Sequence, residues 1–163
     1  MRGRSTPIPF RWWTIALCAT GLAAGLCGCT ATLDVPPGFV RLRDPRPYDL
    51  KAVAASGVVL ALTARPNADA TANLDFWSQA VERQKVDVDG LRLASRESIQ
   101  SQRGLAGVLF QFELGEGQGK AAYLVALYVT PQRIYTIEAG GMTEAVTPEL
   151  PKLRQALESL RVP

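Results

Sequence analysis

The chain has 163 residues, 47% of them hydrophobic, with 18 Lys and Arg against 15 Asp and Glu, three cysteines and no histidine. The missing imidazole excludes Ser-His, Cys-His and His-ligated zinc chemistry and leaves only carboxylate- or lysine-based catalysis open. The apolar content suffices for a packed core in one domain of ordinary size.

The amino-terminal region carries Arg2, Arg4 and Arg11 and no acid, then an apolar run from Trp12 to Leu26. That run is short for a bilayer span and has the layout of an export signal. It closes on Leu26-Cys27-Gly28-Cys29, which resembles the bacterial lipobox. The resemblance implies cleavage between Gly28 and Cys29 and acylation of Cys29. Cleavage before Cys27 would put Leu26 at the small-residue position, and Cys18 lies inside the apolar run. The alternatives are an ordinary secretory signal and an uncleaved anchor. Thr30 follows the cysteine; in the lipoproteins this resembles, the lack of Asp there points to the outer membrane of a Gram-negative cell, with the domain facing the periplasm. The expected divisions are a signal peptide at 1–28, a lipidated tether at 29–38 and one globular domain at 39–163.

Processing changes the composition. Three of the 18 basic residues and none of the 15 acidic ones fall in residues 1–28, so the remainder is balanced at 15 against 15. Lys and Arg there are scattered singly, without the clustered face that nucleic acid requires. Cys18 and Cys27 leave with the signal and Cys29 is consumed by lipid, so no disulfide framework supports the domain.

Along the remainder, Phe39 to Arg43 alternates as a short strand and Asp44-Pro45-Arg46-Pro47 breaks it. Val58 to Ala64 is a second strand, which residues 52–56 extend or pair with across Gly57. Asn73 caps a helix to about Lys85 with Leu74, Trp77 and Val81 on its apolar face. A turn at Asp87-Val88-Asp89-Gly90 leads to strands at Leu91–Ile99, Gly107–Leu114, Ala121–Val129 and Arg133–Ala139. The last is predicted to end at Gly140-Gly141. Thr147-Pro148 is predicted to open a final helix with Leu150, Leu153, Leu157 and Leu160 in a stripe. Short loops make consecutive strands antiparallel. The predicted class is α+β: an antiparallel sheet of five to six strands with a mid-chain and a carboxy-terminal helix packed on it.

Candidate chemistry is sparse. Gly115-Glu116-Gly117-Gln118-Gly119-Lys120 departs from a phosphate loop, because Leu114 stands where the first glycine belongs and Ala121 replaces Ser/Thr. Asp87-x-Asp89-Gly90 lacks the chelating carboxylate of a calcium loop, since Arg96 takes that place. Glu113 and Glu116 are close in sequence but Glu116 sits on the hairpin tip, Glu138 and Glu144 have no evident partner, and all four read as solvated charge. Tyr123 and Tyr128 point to opposite faces, with hydroxyls expected at the edge of the core. Phe76 cannot share the core stripe with Trp77, because neighbouring helical residues diverge by about 100°. It packs on a neighbouring loop or, partly exposed, is the candidate surface for a partner or lipid. No catalytic residue, cofactor or metal is predicted.

The order of elements resembles the PsbP-like fold, which includes the extrinsic protein of photosystem II and small bacterial lipoproteins of the DcrB type. The matching segments are Val58–Arg65, the helix around Trp77, Gly107–Phe112, Tyr123–Tyr128, Arg133–Ile137 and Leu157–Leu160. The resemblance implies the fold and no particular function, because that fold serves unrelated roles. By subtraction, the expected role is a lipid-anchored, non-catalytic accessory or interaction domain of the cell envelope with an envelope protein as partner. The alternatives are a binding module for a small apolar or lipid-like ligand and, behind it, an enzyme of unfamiliar type.

Overall fold

A computed structural model describes residues 31–115 and 119–163. Gly28, Cys29, the signal and Glu116 therefore lie outside the described residues. Strands β1 (Phe39–Arg41), β2 (Leu50–Ala54) and β3 (Val59–Pro66) come first, followed by helix α1 (Leu74–Arg83) and a π-helical turn (Gln84–Val88). Strands β4 (Arg92–Gln100), β5 (Ala106–Leu114), β6 (Ala121–Val129) and β7 (Arg133–Met142) follow. Helix α2 (Thr143–Val146), a 3-10 turn (Thr147–Glu149) and helix α3 (Leu150–Glu158) close the chain. All strands pair antiparallel in one seven-stranded sheet of order β1-β2-β3-β7-β6-β5-β4.

The strand count exceeds the expected five to six because residues 50–54 form a strand of their own. Leu50, Ala52 and Ala54 are buried and the residues between them are not. Gly57 supplies the left-handed turn, at φ 84°, that folds β2 onto β3.

The helices cover opposite faces. On one, Leu153, Ala156, Leu157 and Leu160 pack with Leu60, Leu62, Leu109, Leu124, Tyr128 and Ile137. Tyr128 needs Gly107 beside it: a Cβ there would stand 2.5 Å from the ring. The Tyr128 hydroxyl does not reach the core edge as expected; it donates to the Leu157 carbonyl at 3.0 Å and ties α3 to the sheet. On the other face, Leu74, Trp77 and Val81 of α1 pack on Val108, Phe110, Phe112, Val125 and Leu127. β6 serves both layers, and its residues 124–128 are all buried.

Three expectations are corrected here. β7 runs through Gly140 and Gly141 to Met142, because both glycines pair with β6. The closing helical region begins at Thr143, and Thr147 is not its cap; the Thr147 hydroxyl donates back to the Thr143 carbonyl at 2.7 Å. Residues 31–38 are not a free tether. Thr32 and Arg161 exchange backbone hydrogen bonds at 2.9 Å, Asp34 N–H donates to Ser159 Oγ at 2.9 Å, and Leu33 and Pro36 are buried.

Candidate functional site

Helix α1 lies over β5 and β6 and leaves the β3–β7 half of its face uncovered. Two hollows of about 670 and about 400 Å³ occupy that half and meet at Tyr48, Lys85 and Glu138, forming one open trough along the strands. Alternation fixes its floor. Thr136, Glu138 and Gly140 of β7 lie beside Thr63, Ala61 and Val59 of β3, with Ala61 opposite Glu138 and Thr63 opposite Thr136. Trp77 and Val81 form the wall on the helix side, and Tyr48 of the β1–β2 loop stands across from them. That loop is stitched to β3: Asp49 donates its N–H to the Leu62 carbonyl at 2.9 Å, and its carboxylate accepts from Ala64 N–H at 2.6 Å.

The centre of the trough is built by a glycine. Tyr123 stands opposite Gly140 across β6 and β7. A Cβ on Gly140 would come within 2.9 Å of the ring, so the ring lies where a side chain would have been. From there its hydroxyl donates to Glu138 Oε1 at 2.5 Å. Burial, and after it the hydrogen bond to Glu138, push the phenol far above its ordinary range, so it stays a proton donor. Lys85 Nζ sits 5.0 Å from the Tyr123 ring centre and is paired to Asp89 at 3.0 Å. Among the described residues no cation pairs with Glu138. The expectation that Glu138 is an unpartnered surface charge is therefore corrected: it is pinned, half-buried and aimed into a groove.

Above this centre the trough is mostly apolar, lined by Val59, Ala61, Leu91 and Leu114, with the Lys85–Asp89 ion pair at its side. Leu114 and Met142 are exposed at its mouth, flanking Ala121 in register. Below the centre lie Thr63, Thr136 and Arg65. Trp77 is fixed here by Asn67, whose Oδ1 accepts from the indole N–H at 3.1 Å. The Asn67 amide donates to the Ala72 and Thr130 carbonyls at 3.0 and 3.2 Å. One buried side chain thus ties the helix entrance, the end of β3 and the β6–β7 turn together.

Phe76 is 56% exposed and meets Trp77 edge-on, with ring centres 5.3 Å apart. It lies on the outer face of α1 by a separate shallow hollow that also takes in Val88, and does not line the trough. Glu113 is paired with Arg92 and, at 2.8 Å, with Lys120. Lys120 therefore serves as an ion-pair partner at the base of the β5–β6 hairpin. Asp89 is occupied by Lys85 and Gln84, whose hydrogen bonds hold its carboxyl below the ordinary range. Among the described residues no three Asp, Glu, His or Cys side chains converge as metal ligands.

The sequence reading missed Glu138 and Tyr123 as a pair because the signal is a register. The tight β6–β7 turn places Tyr123 opposite Gly140, and Glu138 two residues away on the same face.

No protein-family model matches the chain, and no curated protein matches it in sequence. Solved structures do match in shape. The solution structure of cyanobacterial PsbP (CyanoP) from Synechocystis sp. PCC 6803 superposes with a TM-score of 0.58 at 10% identity, covering 88% of this chain and 99% of that one. LpqN of Mycobacterium tuberculosis, described as involved in cell envelope biogenesis, gives 0.61 at 10% identity over 82% and 84%. A Bacteroides thetaiotaomicron VPI-5482 protein gives 0.51 at 7% identity, over 82% of this chain but only 45% of that one. At these identities the likeness concerns the fold alone. Seven antiparallel strands between two helical layers, matched end to end with CyanoP, make this a PsbP-like α+β fold.

Proposed function

We propose that the chain is a lipid-anchored, non-catalytic accessory domain of the bacterial cell envelope, and that it holds a segment of an envelope protein in the trough beside α1. The observation that carries the reading is Glu138: a carboxylate fixed by Tyr123, unpaired with any cation among the described residues, with apolar side chains on both sides of it (Leu91 and Leu114 above, Trp77 and Val81 below). A segment carrying a lysine or arginine flanked by apolar side chains complements that order of surfaces. The lipobox supports the anchor, and the fold shared with LpqN, an envelope-biogenesis protein, supports the compartment. Lys85, the amine beside the Tyr123–Glu138 pair, is held as an ammonium by Asp89, which supports binding over catalysis.

A small apolar ligand is the second reading, favoured by Val59, Ala61, Leu91 and Leu114 at the upper end. Such ligands ordinarily need most of their surface covered, and this groove is open along its length. The test is photo-crosslinking in cells of the intact lipoprotein, with a photoreactive residue at Tyr48 or, as control, at Val40 on the sheet edge. The reading expects a discrete protein adduct from Tyr48 alone, lost on Glu138→Lys. The same adducts from both positions, or adducts indifferent to Glu138→Lys, would sink it.

A further inference from the structure

The docked leader determines more than proximity to a membrane. Residues 32–39 run the length of the domain. Phe39 pairs with Ala54 beside the Ala55–Gly57 turn, at one end of the sheet. Thr32 pairs with Arg161 at the other end. That second end is defined by its neighbours. Gln102 N–H donates to the Glu158 carbonyl at 2.8 Å, Arg103 reaches the Val162 carbonyl at 3.3 Å, and Arg161 reaches Gln102 at 3.4 Å. The β4–β5 turn at 101–105 is therefore packed against the leader's start and the last residues of the chain. The β6–β7 turn and the 67–72 loop share this end, since Gln100 pairs with Ala106, Val129 with Ile134, and Pro66 with Arg133.

Four contacts hold the leader there: the paired backbone bonds of Thr32 and Arg161, the Arg161–Asp34 ion pair, the Asp34 bond to Ser159, and burial of Leu33. From Cys29 to Thr32 the chain can reach about 10 Å at most. An acyl group on Cys29 thus leaves the domain almost no freedom to turn over. We infer that the docked leader presents the end of the sheet carrying the 101–105 and 130–133 turns to an anionic bilayer surface. The trough then opens sideways, and its apolar mouth points away from the membrane.

The side chains at that end fit the assignment. Arg65, Arg103 and Arg133 are exposed there against Asp69 of the neighbouring loop, while exposed Asp34 is neutralised by Arg161; the excess of three arginines over one free carboxylate suits acidic lipid headgroups within a Debye length. The opposite end carries Leu114 and Met142, and its basic side chains Arg92 and Lys120 are both spent on Glu113. The inference rests on acylation of Cys29, and its test separates the two.

Full-length lipoprotein is reconstituted in phosphatidylethanolamine–phosphatidylglycerol vesicles with a fluorophore on Gln132→Cys or on Ser56→Cys, and with a nitroxide lipid as quencher. Both positions are exposed and lie at opposite ends. The expected result is loss of most fluorescence at Gln132→Cys and little at Ser56→Cys. A flexible Gly-Ser insertion of about 20 residues between Thr30 and Ala31, spanning about 25 Å, should abolish the contrast and leave vesicle flotation unchanged. Protein that does not float lacks the anchor, and the orientation falls with it. Protein that floats with both probes equally quenched keeps the anchor and loses the orientation. A contrast that survives the insertion would overturn the leader as its cause.

Discussion

Gly140 shows how one missing side chain organises a site. Its lack of a Cβ lets Tyr123 lie against the sheet and reach Glu138. Gly140→Ala should cost about 1–3 kcal/mol by overpacking, whereas Gly119→Ala, with open space around the new methyl, should cost far less. Chemical denaturation of the two variants checks the contrast, and most of the Gly140→Ala cost should vanish on a Tyr123→Ala background. Asn67 carries a second prediction. Asn67→Ala leaves the Trp77 indole N–H and the Ala72 and Thr130 carbonyls without their partner. An expected loss of about 1–3 kcal/mol should come with a shift in Trp77 emission; an unmoved spectrum would mean that Asn67 does not hold the ring. At this scale, side chains with a local partner were legible: Asn73 caps α1 by accepting from Phe76 N–H at 3.0 Å, as its position predicts. Side chains whose partner lies on another strand were not. Glu138 and Tyr123 are 15 residues apart, and only the sheet register joins them.

Elements with a clean period were equally legible. Val108, Phe110 and Phe112 share the α1 face as their alternation requires, and Leu153 and Leu157 are fully buried at helical spacing. Leu157→Ala should lower stability by about 2–5 kcal/mol, and Glu158→Ala should do little; equal melting curves for wild type and Leu157→Ala would contradict the packing of α3. Elements without a period escaped. Gly140-Gly141 has no side chains to alternate. The leader at 31–38, with its Pro36-Pro37, looks like a linker because its partners Ser159 and Arg161 lie 125 or more residues away. Its attachment has a pH dependence. Asp34 is held below the ordinary carboxylate range chiefly by hydrogen bonds from Arg161, and Glu97 likewise by Arg154 of α3. A carboxyl whose folded pKa lies below its unfolded value stabilises the fold above the unfolded pKa. That stabilisation is lost as pH falls through the folded one. Hydrogen exchange should therefore show residues 31–38 and α3 loosening first below about pH 4, with no change in the alkaline direction. Loss of protection that begins well above that range would contradict the ion pairs as the cause.

The whole molecule places three layers in a fixed relation: α3 with the leader on one face, the sheet, and α1 with an open trough on the other. Trp77, the one tryptophan beyond residue 28, lines that trough and reports on it. A bound segment should change Trp77 emission, while occupation of the Val40 edge should not. The Thr32–Arg161 pairing also has a consequence in time. The two residues are 129 apart, and a ribosome adding about 5–20 residues each second needs about 6–25 s to make the stretch between them. Throughout that interval residues 31–38 have no partner to dock on. Docking of residues 31–38 is therefore one of the last steps of folding, because it waits for the far end of the chain.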